Sequence, residues 1–326
     1  MDNSSYRSQY ILKNTANMIE PSAVSVRDFW NRVSAIERQI GKPIESGYSK
    51  DDYITLFTNL HLRNRSILHT AKGRVAGYVK YLYDCGVVSE DNLLACRSVS
   101  FNDIPANVVF DDGYFKDFQS LKDNIDTTIH IADRCDDHVF DTQVVALYLA
   151  WCGVSADEAV QILKEDVHDD YIQVGSRKVR PNKTIRERIL EYRNAEGYRS
   201  WASCIIFLKY KSSPFLLRTK SDSQMDSKTL RSRIRAFNQI KKEPEAADQL
   251  MNLPSSESCL LRYDRVYWSG IFHRAYLYEL ANGEIVRSNI DLLSELFNES
   301  YSNFKSAYSR FQEYTRYRDY FFPSEE

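Results

Sequence analysis

An apolar run of 11 residues, Val144 to Val154, constrains the fold of this chain more than any other feature. It is well short of the roughly 18 residues needed to span a bilayer, so it belongs inside a folded core. With apolar residues on nearly all sides, Asp141 to Cys152 reads as a helix enclosed by other elements and ended by Gly153. A chain of 326 residues, 43% of them apolar, can supply that enclosure. At roughly 100 to 200 residues per domain it should form two domains. The first thirty residues are too polar for a secretory signal, so the expectation is a soluble cytoplasmic protein with no membrane partner.

Several chemistries are excluded by spacing. The cysteines at 85, 96, 135, 152, 204 and 259 contain no C-x-x-C pair, and the histidines at 61, 69, 130, 138, 168 and 273 contain no H-x-x-x-H pair. No zinc site or disulfide framework is expected. Neither G-x-x-x-x-G-K-[ST] nor G-x-G-x-x-G occurs, so no metal and no nucleotide cofactor is expected. The charge is more informative. The net charge is only −2, yet residues 172–242 hold 18 Lys and Arg against 5 Asp and Glu, while residues 84–169 hold 5 against 18. A second basic stretch, His61 to Lys80, contains no acid. Cations clustered at two separated places, interleaved with Ser, Thr, Asn and Tyr, suit a nucleic-acid backbone, because neutralising phosphates releases condensed counterions.

Along the chain, residues 1 to about 22 read as a polar, partly mobile start. Val26, Phe29, Trp30, Val33, Ile36 and Ile40 then recur at helical steps until Gly41. A short helix covers Asp51 to Leu62. From Ser66 to Gly86, Ile67, Ala71, Val75, Val79 and Leu82 form an apolar stripe, with Arg65, His69 and Lys72 on another face. A short helix around Asp91 to Arg97 and a connector over Ser98 to Asn107 follow. Tyr114 to Ile131 reads as an acidic helical segment. After the enclosed helix, Ser155-Ala-Asp-Glu158 matches a capping box opening a helix to Lys164. Tyr171 to Val174 and Arg177 to Pro181 read as a β-hairpin turning at Gly175-Ser176. Thr184 to Tyr192 is helical, and Ser203 to Leu208 a buried strand or helix. Ser227 to Ile240 is amphipathic, with Leu230, Ile234 and Phe237 opposite Lys228, Arg231 and Arg235. Helices rich in Tyr and Phe close the chain.

This order of elements resembles the tyrosine recombinases, the phage integrase family, over roughly residues 20 to 320. The resemblance rests on a small helical domain ending in a basic helix with Lys80-Tyr-Leu-Tyr83, the enclosed helix running into Cys152-Gly-Val-Ser-Ala-Asp-Glu-Ala159, a basic hairpin and a Tyr-bearing end. It implies a mainly α fold: a helical core-binding-like (SAM-like) DNA-binding domain over residues 1–104 and a catalytic-like, mostly helical domain with a small β-hairpin or sheet over residues 105–326.

In that family a Tyr attacks a DNA phosphodiester while two Arg clamp its oxygens and Lys and His groups assist. The boxes are degenerate here. Ser155 stands at the first Arg position of T-G-L-R-x-S-E-L. Ser269 and Phe272 stand at the His and Arg of H-x-L-R-H, Glu299 at the His of the third box, and Tyr308 at the nucleophile. The hairpin still carries Arg177 and Lys178. A Ser cannot replace a guanidinium fork, and losing one transition-state donor costs about 10²- to 10³-fold, so no catalytic residue and no strand cleavage is expected. The family's DNA clamp, carried onto this sequence, implies DNA contacts at Arg63, Arg65, His69, Lys72, Arg74, Lys178, Arg180, Lys183, Lys228, Arg231, Arg233 and Arg235.

Within the family the chain looks similar to the integrase-fold repressors that maintain lysogeny in SPβ-type temperate phages. That likeness implies a sequence-specific transcriptional regulator acting on double-stranded operator DNA; its C-terminal segment either packs in cis or, as tails do in the family, swaps onto a neighbour and drives self-association. The alternative is an active recombinase in which Tyr308 attacks and Arg265 or Arg274 replaces the missing clamp. A third reading is a helical scaffold whose basic face docks the acidic block of another copy.

Overall fold

The computed structural model describes all residues except 1–3, 62–64, 133–138, 201–202, 220–222, 243–245, 247–248, 252 and 324–326. The protein is mainly α with two small two-stranded antiparallel sheets. It forms two compact units, Met1–Val109 and Phe110–Glu326. No helix among the described residues is long and apolar enough to cross a membrane.

The first unit contains α1 (Ser4–Thr15), α2 (Glu20–Ile40), α3 (Lys50–Asn59), α4 (Arg65–Asp84) and α5 (Glu90–Ser98). In α2, Phe29, Trp30, Val33 and Ile36 form the buried stripe that their three- and four-residue spacing requires. Gly41, in the left-handed region at φ 76°, donates its N–H to the Glu37 carbonyl and ends the helix. Along α4, Leu68, Ala71, Val75, Tyr78, Val79 and Leu82 are buried. Ile67, expected on that stripe, is 46% exposed, and Leu68 takes its place in the core. The polar start is also corrected. Arg7 on α1 pairs with both Glu37 and Glu45, and the Tyr10 ring packs against Trp30, Tyr78 and Tyr81. The N-terminal segment is therefore a docked helix from Ser4 onward.

A short helix, α6 (Ala106–Phe110), leads into the second unit, which holds α7 (Phe118–Ile131), α8 (Asp141–Trp151) and α9 (Ala156–Ala159). Asp117 caps α7 by accepting from the Ser120 N–H, which is why that helix starts later than Tyr114. Every residue of α8 except Gln143 is buried, the arrangement its all-round apolar pattern demands. Asp141, at its start, is 2% exposed and pairs with Arg188. The capping box at Ser155 forms, with Glu158 N–H on the Ser155 hydroxyl and Ser155 N–H on the Glu158 carboxylate. The helix it opens stops at Ala159, well before Lys164, because Leu163 instead bridges to Phe215.

The hairpin pairs β1 (Ile172–Val174) with β2 (Arg177–Val179), Gln173 opposite Lys178, and turns at Gly175 with φ 57°. Beyond α10 (Lys183–Asn194) comes a second ribbon, β3 (Gly197–Ser200) with β4 (Ser203–Lys209). The segment expected as a buried strand or helix is thus a strand, and it is exposed: Ile206 is 53% and Phe207 51% accessible. The unit closes with α11 (Ser227–Phe237), α12 (Tyr263–Asn282), α13 (Ile290–Phe297) and α14 (Phe304–Phe321). α12 lies directly on α8, since an added Cβ at Gly270 would meet the Trp151 carbonyl. The C-terminal helix packs on its own unit. Tyr314 and Tyr317 are fully buried, Tyr320 donates to Asp111, and Phe322 stacks on Tyr276 at 3.9 Å.

Candidate nucleic-acid interface

On α11 the apolar residues Leu230, Ile234 and Phe237 are buried, which turns Lys228, Arg231 and Arg235 to the other face at i, i+3 and i+7. Lys228 and Arg235 are exposed. Arg231 is half-buried, 3.1 Å from Asp264, and that hydrogen bond raises its pKa. Arg233 is also half-buried and donates to the Arg218 carbonyl at 3.1 Å. Of the four cations on this helix, two are open and two are partly committed within the protein. On the hairpin, Lys178 and Arg180 are exposed, with the Lys178 ammonium 4.4 Å from the Tyr171 ring centre. Lys183 opens α10 with 79% of its side chain exposed, 3.8 Å from Glu187.

In the first unit, His69 is exposed on α4. With Lys72, Gly73, Ala76, Gly77, Lys80 and Arg97 it lines a hollow of about 360 Å³. Lys72 does not project freely. Its ammonium donates to the carbonyls of Arg97, at 3.2 Å, and Val99, at 2.9 Å, capping the end of α5. Arg74 lies 5.3 Å from the Phe29 ring centre. Arg63 and the side chain of Arg65 lie outside the described residues.

The residues that the sequence resemblance aligned with catalytic groups make contacts within the fold. Ser155 is the N-cap of α9. Ser269 is fully buried; its hydroxyl donates to the Arg265 carbonyl at 2.8 Å and accepts the Phe115 N–H at 3.0 Å. Phe272, also fully buried, packs among Tyr114, Trp268, Phe297, Tyr314 and Tyr317. Glu299 pairs with Arg310, which lies 3.3 Å from the Trp268 ring centre and also holds Glu313. Tyr308 is 42% exposed on the first turns of α14; its hydroxyl accepts from Gln312 at 2.6 Å and its ring meets Phe304.

Arg265 and Arg274, the alternative arginines of the sequence reading, also make contacts within the fold. Arg265 is 7% exposed, with its guanidinium 4.5 Å from the Tyr114 ring centre. Arg274 donates to the Trp151 carbonyl at 2.8 Å and so caps the C-terminus of α8, where a cation also meets the negative end of the helix dipole. Arg177 reaches the same turn, donating to the Gly153 carbonyl and to both oxygens of Glu158 at 2.9 Å. Gly153 fits this crowded place because its φ is 75° and a Cβ would sit 2.2 Å from Arg274 Nη2. Burial pushes the neighbouring Cys152 thiol up to about 12, with Arg274 acting in the opposite direction.

Burial works against ionisation of Glu158, but hydrogen bonds from Ser155 and Arg177 outweigh it and hold its carboxyl below the usual range. Its stabilisation is therefore complete above the unfolded-state value near 4.5 and is lost as pH falls through the lower folded value. Acid titration of urea midpoints should show the wild-type protein losing stability over that window. Glu158→Gln should titrate more weakly there, and equal slopes would remove Glu158 as the source.

No pattern in the sequence marks Arg218, which the structure places centrally. It is 4% exposed, donates to the carbonyls of Ala195 and Tyr192, and lies 3.9 Å from the Tyr210 ring centre.

No family model and no curated protein matches the sequence. Among solved structures, the chain is similar to a lambda integrase(75-356) dimer bound to a COC′ core site, at 11% identity over 100% of this chain and 98% of that one, with a TM-score of 0.37. It is also similar to XerA recombinase, at 12% identity over 97% and 99%, with a TM-score of 0.38. Likenesses this distant carry no functional argument, and the residues must supply it.

Proposed function

We propose that the protein binds double-stranded DNA sequence-specifically as a transcriptional regulator, of the lysogeny-repressor kind, on a recombinase-like scaffold without strand cleavage. The observation that carries this reading is a division of labour. Ser155, Ser269, Phe272 and Glu299 serve capping, core packing and an internal ion pair, whereas Lys178, Arg180, Lys183, Lys228 and Arg235 stay exposed on the second unit. Guanidinium and ammonium groups on a helix face and a hairpin suit guanine edges and phosphates respectively.

The test is selection of bound duplexes from a random pool at physiological salt, followed by denaturing gels of the recovered complexes. One enriched motif and no covalent adduct is the expected result. Lys228→Ala/Arg235→Ala should weaken binding and lower the salt slope by about 0.9 for each phosphate contact removed. Adducts that disappear in Tyr308→Phe would overturn the reading in favour of a working recombinase.

A further inference from the structure

The β3–β4 ribbon is the least explained surface of the second unit. Ile206, Phe207 and Leu208 are consecutive and 53%, 51% and 36% exposed, in a sheet of only two strands. A two-stranded ribbon gains little stability by itself, and an exposed apolar strand is an aggregation hazard unless something covers it. This ribbon is held firmly at its base. Tyr210, just past β4, donates its N–H to the Glu196 carbonyl at 2.9 Å, packs 5.1 Å from the Tyr198 ring, and lies under the Arg218 guanidinium at 3.9 Å. Gly197 leaves the space that the Phe207 ring occupies, since a Cβ there would lie 2.6 Å from a ring carbon.

Two observations say what covers it. Residues 197–211 contain Arg199, Lys209 and Lys211 and no acid, and both lysines are exposed. Ribbon against ribbon would bring like charges together, whereas a polyanion would meet complementary charge; the acidic residues 84–169 of another copy are the competing partner that sedimentation tests. Arg218 also joins the ribbon to α11: its guanidinium lies over Tyr210 at the ribbon base while its carbonyl accepts from Arg233 on α11. Arg218 thus ties the base of the ribbon to the basic helix.

We propose that the ribbon is a second DNA-contacting element. It lays Ile206 and Leu208, which share one face of β4, against the sugars and base edges of a groove, while Lys209 and Lys211, whose long side chains leave from the other face, reach phosphates at the groove's edges. This inference rests on the DNA-binding reading.

The experiment measures anisotropy of a labelled duplex carrying the enriched motif, titrated with full-length protein over a salt series. Lys209→Gln/Lys211→Gln should lower the salt slope by about 2 and weaken specific and random duplexes alike. Ile206→Ser/Leu208→Ser should weaken binding about tenfold or more with the slope unchanged, because phosphate contacts persist. All four side chains are exposed, so circular dichroism should match the wild type; if the serine pair misfolds, the lysine pair decides alone. Unchanged affinity and slope in the folded variants would overturn the proposal. So would unchanged DNA binding with reduced self-association in sedimentation, which would make the patch a contact between copies. If wild-type protein selects no duplex at all, the DNA reading falls first, before any ribbon variant is compared.

Discussion

Gly270→Ala should be among the most destabilising single substitutions in the second unit, with a urea midpoint far below that of the wild type. A Cβ at this position would lie 1.9 Å from the Trp151 carbonyl oxygen, 2.6 Å from its carbon and 2.8 Å from the Trp151 Cα. All three are backbone atoms of the enclosed helix α8, so no side chain can rotate aside. α12 would have to withdraw from α8, and with it Val266, Ser269, Ile271 and Phe272, all buried at 0% exposure. Overpacking of a tight core typically costs about 1–3 kcal/mol, and backbone-to-backbone contact places this case at or above the top of that range. The withdrawal would also break the Arg274 hydrogen bond to the Trp151 carbonyl. Gly73→Ala is the control. Gly73 sits in the interior of α4 with nothing within 4 Å of an added Cβ. There the substitution should raise stability, up to about 1 kcal/mol, by helix propensity alone. Equal effects of the two substitutions would show that backbone contact at Gly270 is not what fixes the packing of α12 on α8.

The same contrast shows what could be read from the chain and what could not. α8 was legible because an all-apolar helix has only one environment open to it, and the Ser155 capping box and the β1–β2 hairpin because each is decided within a few residues. Local pattern failed where partners are distant. Lys72 looks like a free surface cation by spacing, yet its acceptors are the carbonyls of Arg97 and Val99. Phe272 and Ser269 could be read as lost catalytic groups, but not as partners of Tyr114 and Phe115, because those two contacts join segments more than a hundred residues apart. The β4 segment looked like core by its apolar residues. Ile206, Phe207 and Leu208 are nonetheless exposed, whereas the equally two-stranded β1–β2 hairpin buries Ile172, Val174 and Val179, so what packs on a ribbon's face decides its burial and composition does not report it.

The N-terminal helix is the clearest case of distant pairing, and it yields the second large effect: Arg7→Met should destabilise the first unit by about 3–5 kcal/mol, the cost typical of breaking a buried ion pair from one side. Arg7 is 11% exposed, and its guanidinium holds Glu37 and Glu45, whose side chains are 7% and 3% exposed. Those carboxylates have other duties. Glu37 accepts the Ile44 N–H at 2.9 Å and Glu45 accepts the Tyr78 hydroxyl. They cannot turn to solvent without abandoning the turn after α2 and the inner face of α4. The Arg7 guanidinium also lies 5.6 Å from the Trp30 ring centre and 5.3 Å from that of Tyr78, so the variant loses cation–π contact as well. Met keeps much of the packing volume, which leaves the unpaired charge as the main defect. Replacing the charges together, in Arg7→Met/Glu37→Gln/Glu45→Gln, should therefore restore most of the lost stability, because neutral amides can still accept from Ile44 and Tyr78. Urea unfolding followed by Trp30 fluorescence measures both variants. If the triple variant were no more stable than Arg7→Met, the loss would lie in the docking of α1 through its packing contacts, and the buried charges would not be its cause.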